Sequence, residues 1–411
     1  MRIPVIAAIA LWVMTLACDI YIYFQVKAIK KSKIRRRSLW VYGLTTALCW
    51  ALLIVILCMP RRDASQSILP IMWMLFTFLS IYLGKACYCI FSLLGKPFRA
   101  LSRKKRNFGA WIGAILGIIV FATFWIGAFY TRRDIEVNRV ALSSDKLPQS
   151  FNGLKVVQFS DAHVGTWGSD TTFLSKMVDT INAQKPDIVL FTGDFVNRRS
   201  NELDPYTGVL GKIQARIGVY AVHGNHDYGS YTDWPNPGDA NRDVARLDSL
   251  ITSMGWKILN NRVEFVSQAN DSIAILGVEN WGEPPFNQLG RLDKVYPASH
   301  QGKYHLNDNM FKILLTHNPE HWRQVVRQTS NIDLTLSGHT HAMQFMLKAG
   351  NHKWSPCEYK YEEWAGEYDS TSADGKPMKL YVNIGCGEVG FPARIGAAKP
   401  EITLFTLASG K

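Results

Sequence analysis

The chain has 411 residues with 46 Lys+Arg against 33 Asp+Glu and a pI near 9.3, long enough for at least two units with separate tasks. The excess charge is confined to the first third: residues 1–130 hold 17 Lys+Arg and 2 Asp+Glu, whereas residues 131–411 hold 29 and 31. A near-neutral second part without a basic stripe excludes the nucleic-acid-binding class that the pI invites, and seven cysteines, five of them in apolar segments, exclude a disulfide framework.

Four apolar runs open the chain, at residues 3–24, 39–59, 68–84 and 110–130, each about long enough to cross a ~30 Å hydrocarbon core as a helix. The third is the shortest and can extend past Lys85, whose long stem lets its ammonium snorkel to the interface. A cleaved signal peptide is the competing reading of the first run. Its length, the lack of a small-x-small site and the three following spans favour an uncleaved four-helix transmembrane region over residues 1–130. Asp19 lies inside the first run, either as a functional carboxylate or as one solvated near the outer interface; the second reading is preferred.

Lys and Arg accumulate in cytoplasmic loops. Lys27, Lys30, Lys31, Lys33, Arg35, Arg36 and Arg37 stand between spans one and two, and Lys96, Arg99, Arg103, Lys104, Lys105 and Arg106 between spans three and four. The loop between spans two and three has only Arg61 and Arg62, offset by Asp63. The expectation is a multi-pass protein of the cell's inner membrane with its C-terminal domain outside the cytoplasm. Arg132 and Arg133, just after the last span, weigh mildly against that orientation.

Residues 131–153 read as a linker and a first strand, with alternation over 134–142 and turn signals at Leu147-Pro148 and Asn152-Gly153. From residue 154 a short apolar run repeatedly ends in polar residues: 155–159 before Asp161, 187–191 before Gly193-Asp194, 218–222 before Gly224-Asn225-His226-Asp227, 311–315 before His317, 332–336 before Gly338-His339, and 379–383 before Gly385. These predict buried strands, with helices over 172–184 and 241–254, hence an α/β domain over 154–411. Open α/β sheets bind ligands beyond the carboxyl ends of their strands, where these polar residues fall.

Asp161-Ala-His163 and His339-Thr-His341 both have the i, i+2 spacing that puts two side chains on one side of an extended segment. Asp194 ends a strand, and Asn225 offers a neutral carbonyl oxygen. One Asp or Asn after a strand is ordinarily a turn former, and one His a hydrogen-bonded residue. Five such clusters in succession point instead to a site of four His, two Asp and one Asn, a donor set suited to Mn, Fe or Zn. Cys357 and Cys386, the two cysteines outside the apolar runs, leave a single bridge open in an oxidising compartment.

The order Asp-x-His, Gly-Asp, Gly-Asn-His-Asp, His, Gly-His-x-His resembles the calcineurin-like metallophosphoesterase family over residues 154–407, and within it the membrane-anchored bacterial branch and the transmembrane proteins with a metallophosphoesterase domain. Val382-Asn383-Ile384-Gly385, the segment 390–396 with Arg394, and 400–404 are similar to that branch. The resemblance implies a calcineurin-like two-sheet α/β sandwich and two divalent metal ions. It assigns Asp161, His163, Asp194 and His341 to one ion and Asp194, Asn225, His317 and His339 to the other. It implies a phosphodiesterase or phosphomonoesterase whose attacking water is activated between the metals, with His226 as general acid or phosphoryl contact. Asp227 then either orients His226 or pins the loop.

Two positions depart from the family pattern. Asn197 stands where the protein phosphatases carry an Asp that tunes the histidine, which argues against a phosphoprotein substrate. Ala342-Met343 stands where relatives commonly have two glycines, so the pocket wall is expected to be bulkier. Arg394 either grips a substrate phosphate or forms a surface salt bridge. Trp281 is a candidate substrate contact in a set of loop aromatics: Trp167, Tyr228, Tyr231, Trp234, Phe286, Trp354, Tyr361 and Trp364. These either rim the site and meet lipid or pack under their own loops. The expected partners are the bilayer and a phosphorylated small-molecule or lipid substrate; no protein partner is inferable. The alternatives are an enzyme like the UDP-2,3-diacylglucosamine pyrophosphatase of lipid A synthesis, whose substrate is cytoplasmic, and a non-catalytic membrane sensor or scaffold.

Overall fold

The structure, a computed structural model, describes residues 5–60, 62–63, 65–101, 107–284, 287–296 and 306–410. Arg61, Arg103, Lys104, Lys105, Arg106 and Phe286 lie outside the described residues. Two compact units are present: Met1–Arg61, Ile68–Phe129 and Gly390–Ala393 form one, and Arg62–Ser67, Tyr130–Val389 and Arg394–Lys411 the other.

The first unit is built on four helices, α1 (Val5–Lys27), α2 (Ser32–Cys58), α3 (Leu69–Leu101) and α4 (Phe108–Phe129). A helix satisfies its own backbone groups, which hydrocarbon cannot do, and all four are long and apolar enough to cross a membrane. α3 and α4 pair through glycine. Gly109, Gly113 and Gly117 recur every fourth residue, and a Cβ on Gly113 would come within 2.8 Å of the Tyr88 carbonyl oxygen; small residues let two backbones approach where lipid removes the hydrophobic drive.

Asp19 is not solvated. It is 6% exposed; its Oδ1 accepts from Tyr42 Oη at 3.0 Å and Lys85 Nζ at 2.8 Å, and its Oδ2 from Trp50 Nε1 at 2.9 Å and Tyr82 Oη at 2.7 Å. Lys85 sits inside α3 rather than at its end, so its ammonium pairs with this carboxylate instead of snorkelling. An intramembrane charge persists when it is paired and fully hydrogen-bonded, and here the pairing ties α1 to α2 and α3.

The second unit is a sandwich of two six-stranded sheets. Its strands are β1 (Glu136–Ser144), β2 (Leu154–Phe159), β3 (Ile188–Phe191), β4 (Gly218–Ala221), β5 (Lys257–Ile258), β6 (Arg262–Gln268), β7 (Asp271–Gly277), β8 (Lys312–Leu315), β9 (Leu334–Ser337), β10 (Phe345–Ala349), β11 (His352–Trp354), β12 (Gly366–Thr371), β13 (Pro377–Val382), β14 (Ile395–Gly396) and β15 (Glu401–Ser409). One sheet runs β1-β15-β2-β3-β4-β5 and the other β12-β13-β9-β8-β7-β6, with β11-β10-β14 as a small third sheet. β2 to β5 are parallel, as are β13, β9, β8 and β7. Residues 131–153 do more than link: β1 pairs along its whole length with β15.

Val156, Ile188, Leu190 and Phe405 from one sheet meet Ile275, Ile313, Leu315, Leu334 and Leu336 from the other in a single buried core, each fully buried side chain contributing about 1.5–3 kcal/mol. The helix Thr172–Ala183 buries Phe173, Leu174, Met177, Val178 and Ile181, a stripe at helical spacing, in the core on the outer face of the first sheet. Both runs of parallel strands therefore point their carboxyl ends the same way, and the loops that leave them converge.

Candidate metal centre

Asp161 and His163 follow β2, Asp194 follows β3, Asn225 follows β4, His317 follows β8, and His339 and His341 follow β9. Five of these seven turn with positive φ: Asp161 at 53°, His163 at 40°, Asp194 at 62°, His339 at 74° and His341 at 51°. Such non-glycine conformations cost on the order of 1–3 kcal/mol each and persist only where the surroundings over-determine them. Glycines supply the room: a Cβ on Gly224 would collide with the Asp194 carboxylate, and one on Gly338 with Ser160 and Asp161.

The donors fall into two groups that share one carboxylate oxygen. In the first, His341 Nε2 lies 3.1 Å from Asp161 Oδ1 and 3.2 Å from His163 Nε2. In the second, His317 Nε2 lies 3.1 Å from Asn225 Oδ1 and 3.2 Å from His339 Nδ1. Asp194 Oδ2 is 3.4 Å from His163 Nε2 and 3.1 Å from His317 Nε2.

The outer ring nitrogens are already committed: His163 Nδ1 to the Val196 carbonyl at 3.1 Å, His317 Nδ1 to the Thr192 carbonyl at 2.8 Å, and His339 Nε2 to Tyr361 Oη at 3.0 Å. Such outer bonds fix tautomer and ring orientation, as at metal-ligating histidines. His163 and His317 thereby turn Nε2 inward, within 3.4 and 3.1 Å of the shared Asp194 Oδ2, a place that favours positive charge. The residues therefore fit divalent cations held by nitrogen and oxygen donors.

Burial opposes charge on every group here. Against it, His341 and His317 hold Asp161 below the usual carboxylate range, and His317 and His226 do the same for Asp194. The two carboxylates in turn raise His317 to about 9, while burial depresses His339 to about 3 and His226 to about 4. The carboxylates are thus ionised and His339 and His226 neutral, as a cation requires, whereas His317 carries a proton that a bound cation would displace.

His226 stands beside this cluster. Its ring lies edge-on to His163, with centroids 4.8 Å apart, and stacks on Tyr231 at 4.2 Å. Its Nδ1 donates to the Asn197 carbonyl at 2.6 Å, and His163, Asp194 and His226 each bring a donor atom within 4.8 Å of one another. Asp227 takes the loop-pinning role of the two open to it. Its carboxylate accepts backbone N–H groups from Asp194 at 2.9 Å, Phe195 at 2.8 Å, Val196 at 3.3 Å and Gly224 at 2.9 Å, so it holds the Asp194 turn and is not a catalytic contact.

Two expected substrate contacts are displaced. Arg394 is fully buried; its guanidinium donates to the carbonyls of Gly387, Ala398, Lys399 and Ile384, and its Nη2 lies 3.5 Å from His341 Nδ1, which leaves no fork for a phosphate. Trp281 is also buried, stacked on His321 with its carbonyl accepting from Asn318, so it packs its own loop. Trp167 and Trp364 are buried too. Of the loop aromatics, Tyr231 and Tyr361 touch the centre's side chains. Cys357 and Cys386 are free, buried thiols and form no bridge. His223 is buried with Nε2 2.9 Å from Asp248 Oδ1. The carbonyls of Thr192, Val196 and Asn197, which orient three histidines, carry no side-chain signal and were not legible in the sequence.

Residues 154–343 match the family model described as calcineurin-like phosphoesterase, and residues 1–132 the model described as "Probable Calcineurin-like phosphoesterase, transmembrane domain". The chain is 33% identical over 282 residues to the uncharacterized metallophosphoesterase YkuE of Bacillus subtilis (strain 168), covering 67% of this chain and 86% of that protein. It is 30% identical over 332 residues to the transmembrane protein with metallophosphoesterase domain of Danio rerio, covering 77% of this chain and 69% of that protein. The protein of the same description from Bos taurus is 26% identical over 352 residues, with 81% and 72% covered.

Proposed function

Because the chain belongs to the calcineurin-like phosphoesterase family, and is thus a membrane-associated, metal-dependent phosphohydrolase, we propose that it holds two divalent cations, Mn, Fe or Zn, and cleaves phosphoester or pyrophosphate bonds of a lipid-linked or membrane-proximal substrate. The observation that carries the two-cation reading is the shared Asp194 Oδ2, within 3.4 Å of His163 and 3.1 Å of His317. Asp161, His163, Asp194 and His341 would hold one cation, and Asp194, Asn225, His317 and His339 the other. Cations so held lower the pKa of bound water and clamp the attacking and leaving oxygens.

The chain's own contribution is geometric and protic. His226, fixed through Nδ1, presents Nε2 to a phosphoryl or leaving-group oxygen, where it carries or receives a proton. Tyr361 fixes His339 from behind. The four spans favour a substrate at the lipid surface, since one span suffices to anchor a domain.

The two basic loops support an extracytoplasmic catalytic domain. Arg132 pairs with Glu388 at 2.9 Å and Arg133 with Asp170 at 2.9 Å, so the two arginines that weigh against this orientation are engaged in the folded domain. Purified full-length protein with Mn²⁺ is expected to cleave a chromogenic phosphodiester and then a subset of a lipid-phosphate panel, and Asp194→Asn to cleave neither. Equal activity in the variant would overturn the shared-carboxylate assignment. A C-terminal reporter active only in the cytoplasm would overturn the orientation.

A further inference from the structure

One ribbon of the phosphoesterase unit has no covered face. β10 and β11 form an antiparallel hairpin with pairs Leu347↔Trp354, Lys348↔Lys353 and Ala349↔His352. β14 pairs with β10 only at Phe345 and Met346. Beyond Met346 the ribbon is two-stranded, and all residues from 347 to 354 are exposed. A lone two-stranded hairpin is marginal in water, yet its exposed part carries two large apolar side chains, Leu347 and Trp354.

The exposed large hydrophobics among described residues 131–410 are Phe265, Met343, Leu347, Trp354 and Tyr359, and four of the five fall between 343 and 359. Strand alternation sorts the ribbon into two faces. Phe345, Leu347 and Trp354 share one, with the Phe345 and Trp354 rings edge to face at 6.0 Å. Lys348 and Lys353 oppose each other on the second, where like charges directly paired are destabilising unless an anionic surface lies against them. Lys360 follows at the end of the next turn, and Glu358 is the one acid between 343 and 360.

We propose that this ribbon is a membrane-interface anchor. The Leu347–Trp354 face enters the boundary between headgroups and acyl chains, where Trp and Tyr are favoured, while Lys348, Lys353 and Lys360 meet anionic headgroup phosphates. β10 begins four residues after His341, and Tyr361, just beyond the ribbon, bonds His339 at 3.0 Å. An anchored ribbon thus brings the metal centre to phosphates at a lipid surface; that consequence rests on the membrane-proximal substrate reading, whereas the anchoring itself does not.

The test uses the full chain in nanodiscs of phosphatidylcholine, with or without phosphatidylglycerol and with brominated acyl chains. An environment-sensitive fluorescent amino acid is placed by codon suppression at position 347 or, as the reference, at Phe265. The 347 probe is expected to shift to the blue and lose most of its emission to brominated lipid, more so with phosphatidylglycerol, and the 265 probe to do neither. Lys348→Glu with Lys353→Glu is expected to abolish the phosphatidylglycerol dependence. Equal quenching at 347 and 265, or none at 347, would overturn the anchor; a blue-shifted but unquenched 347 probe would assign the ribbon to a protein contact instead. Turnover is read separately: quenching without lipid-phosphate hydrolysis would sink the substrate reading and leave the anchor standing.

Discussion

The Nδ1 of His226 donates to the main-chain carbonyl of Asn197 across 2.6 Å, so this imidazole is oriented by the backbone of residue 197 and not by its side chain. The Asn197 side chain faces elsewhere, donating to the Glu388 carbonyl at 3.0 Å and Thr166 Oγ1 at 3.2 Å. His226→Asn is expected to lower kcat toward a chromogenic phosphodiester by about 10²–10⁴-fold. Asn197→Ala keeps the carbonyl and should lose far less. An Asn197→Ala loss as deep as that of His226→Asn would make the side chain the orienting group.

Asp227 accepts four backbone N–H bonds around the Asp194 turn. Removing a buried acceptor costs about 1–3 kcal/mol for each donor left unsatisfied. Asp227→Ala should therefore lower Tm strongly and also lower the Mn bound per chain by elemental analysis. Unchanged metal content would separate this carboxylate from the site.

Breaking a buried ion pair on one side costs about 3–5 kcal/mol, whereas replacing both partners with apolar residues is often neutral. Asp19→Leu, which strands Lys85 among the helices, should markedly destabilise the detergent-solubilised protein. Asp19→Leu with Lys85→Leu should recover most of that loss. A double variant as unstable as the single one would mean that Asp19 contributes mainly through Tyr42, Trp50 and Tyr82.

Burial holds His321 neutral, pushed down to about 3 from its usual 6.5. Its contacts are the Trp281 ring and Thr316 Oγ1. The unfolded chain takes up a proton below about pH 6.5 that the folded chain refuses, so the stability from this group is complete above that pH and declines as pH falls towards about 3. The slope is about 1.4 kcal/mol per pH unit for one proton. Thermal unfolding followed between pH 7 and 4 should show a shallower acid decline in His321→Asn than in wild type; parallel curves would exclude His321 as a source of it.

β2, β3, β4, β8, β9 and β13 were readable because each is a short apolar run that stops at a polar turn, a pattern that burial on both faces imposes locally. β10, β11, β12 and β14 were not. They are short and partly exposed, so burial on both faces imposes no sustained apolar run on them. Asp19 shows the same limit: its place in an apolar run was plain, but its solvation depended on where Tyr42, Trp50, Tyr82 and Lys85 come to lie. Ala342 and Met343, read as a bulkier wall, also carry positive φ of 48° and 47°, a conformation that favours glycine.

By itself the sequence determined the spans and the set of candidate metal-ligating side chains, because hydropathy and residue chemistry are properties of the residues themselves. Only the tertiary structure decided that Asp227 braces a turn, that Arg394 and Trp281 face inward, and that the ribbon from 347 to 354 stands uncovered. Each of these is a matter of which groups meet across the fold, and hydrogen bonds to main-chain atoms leave no trace in residue identity.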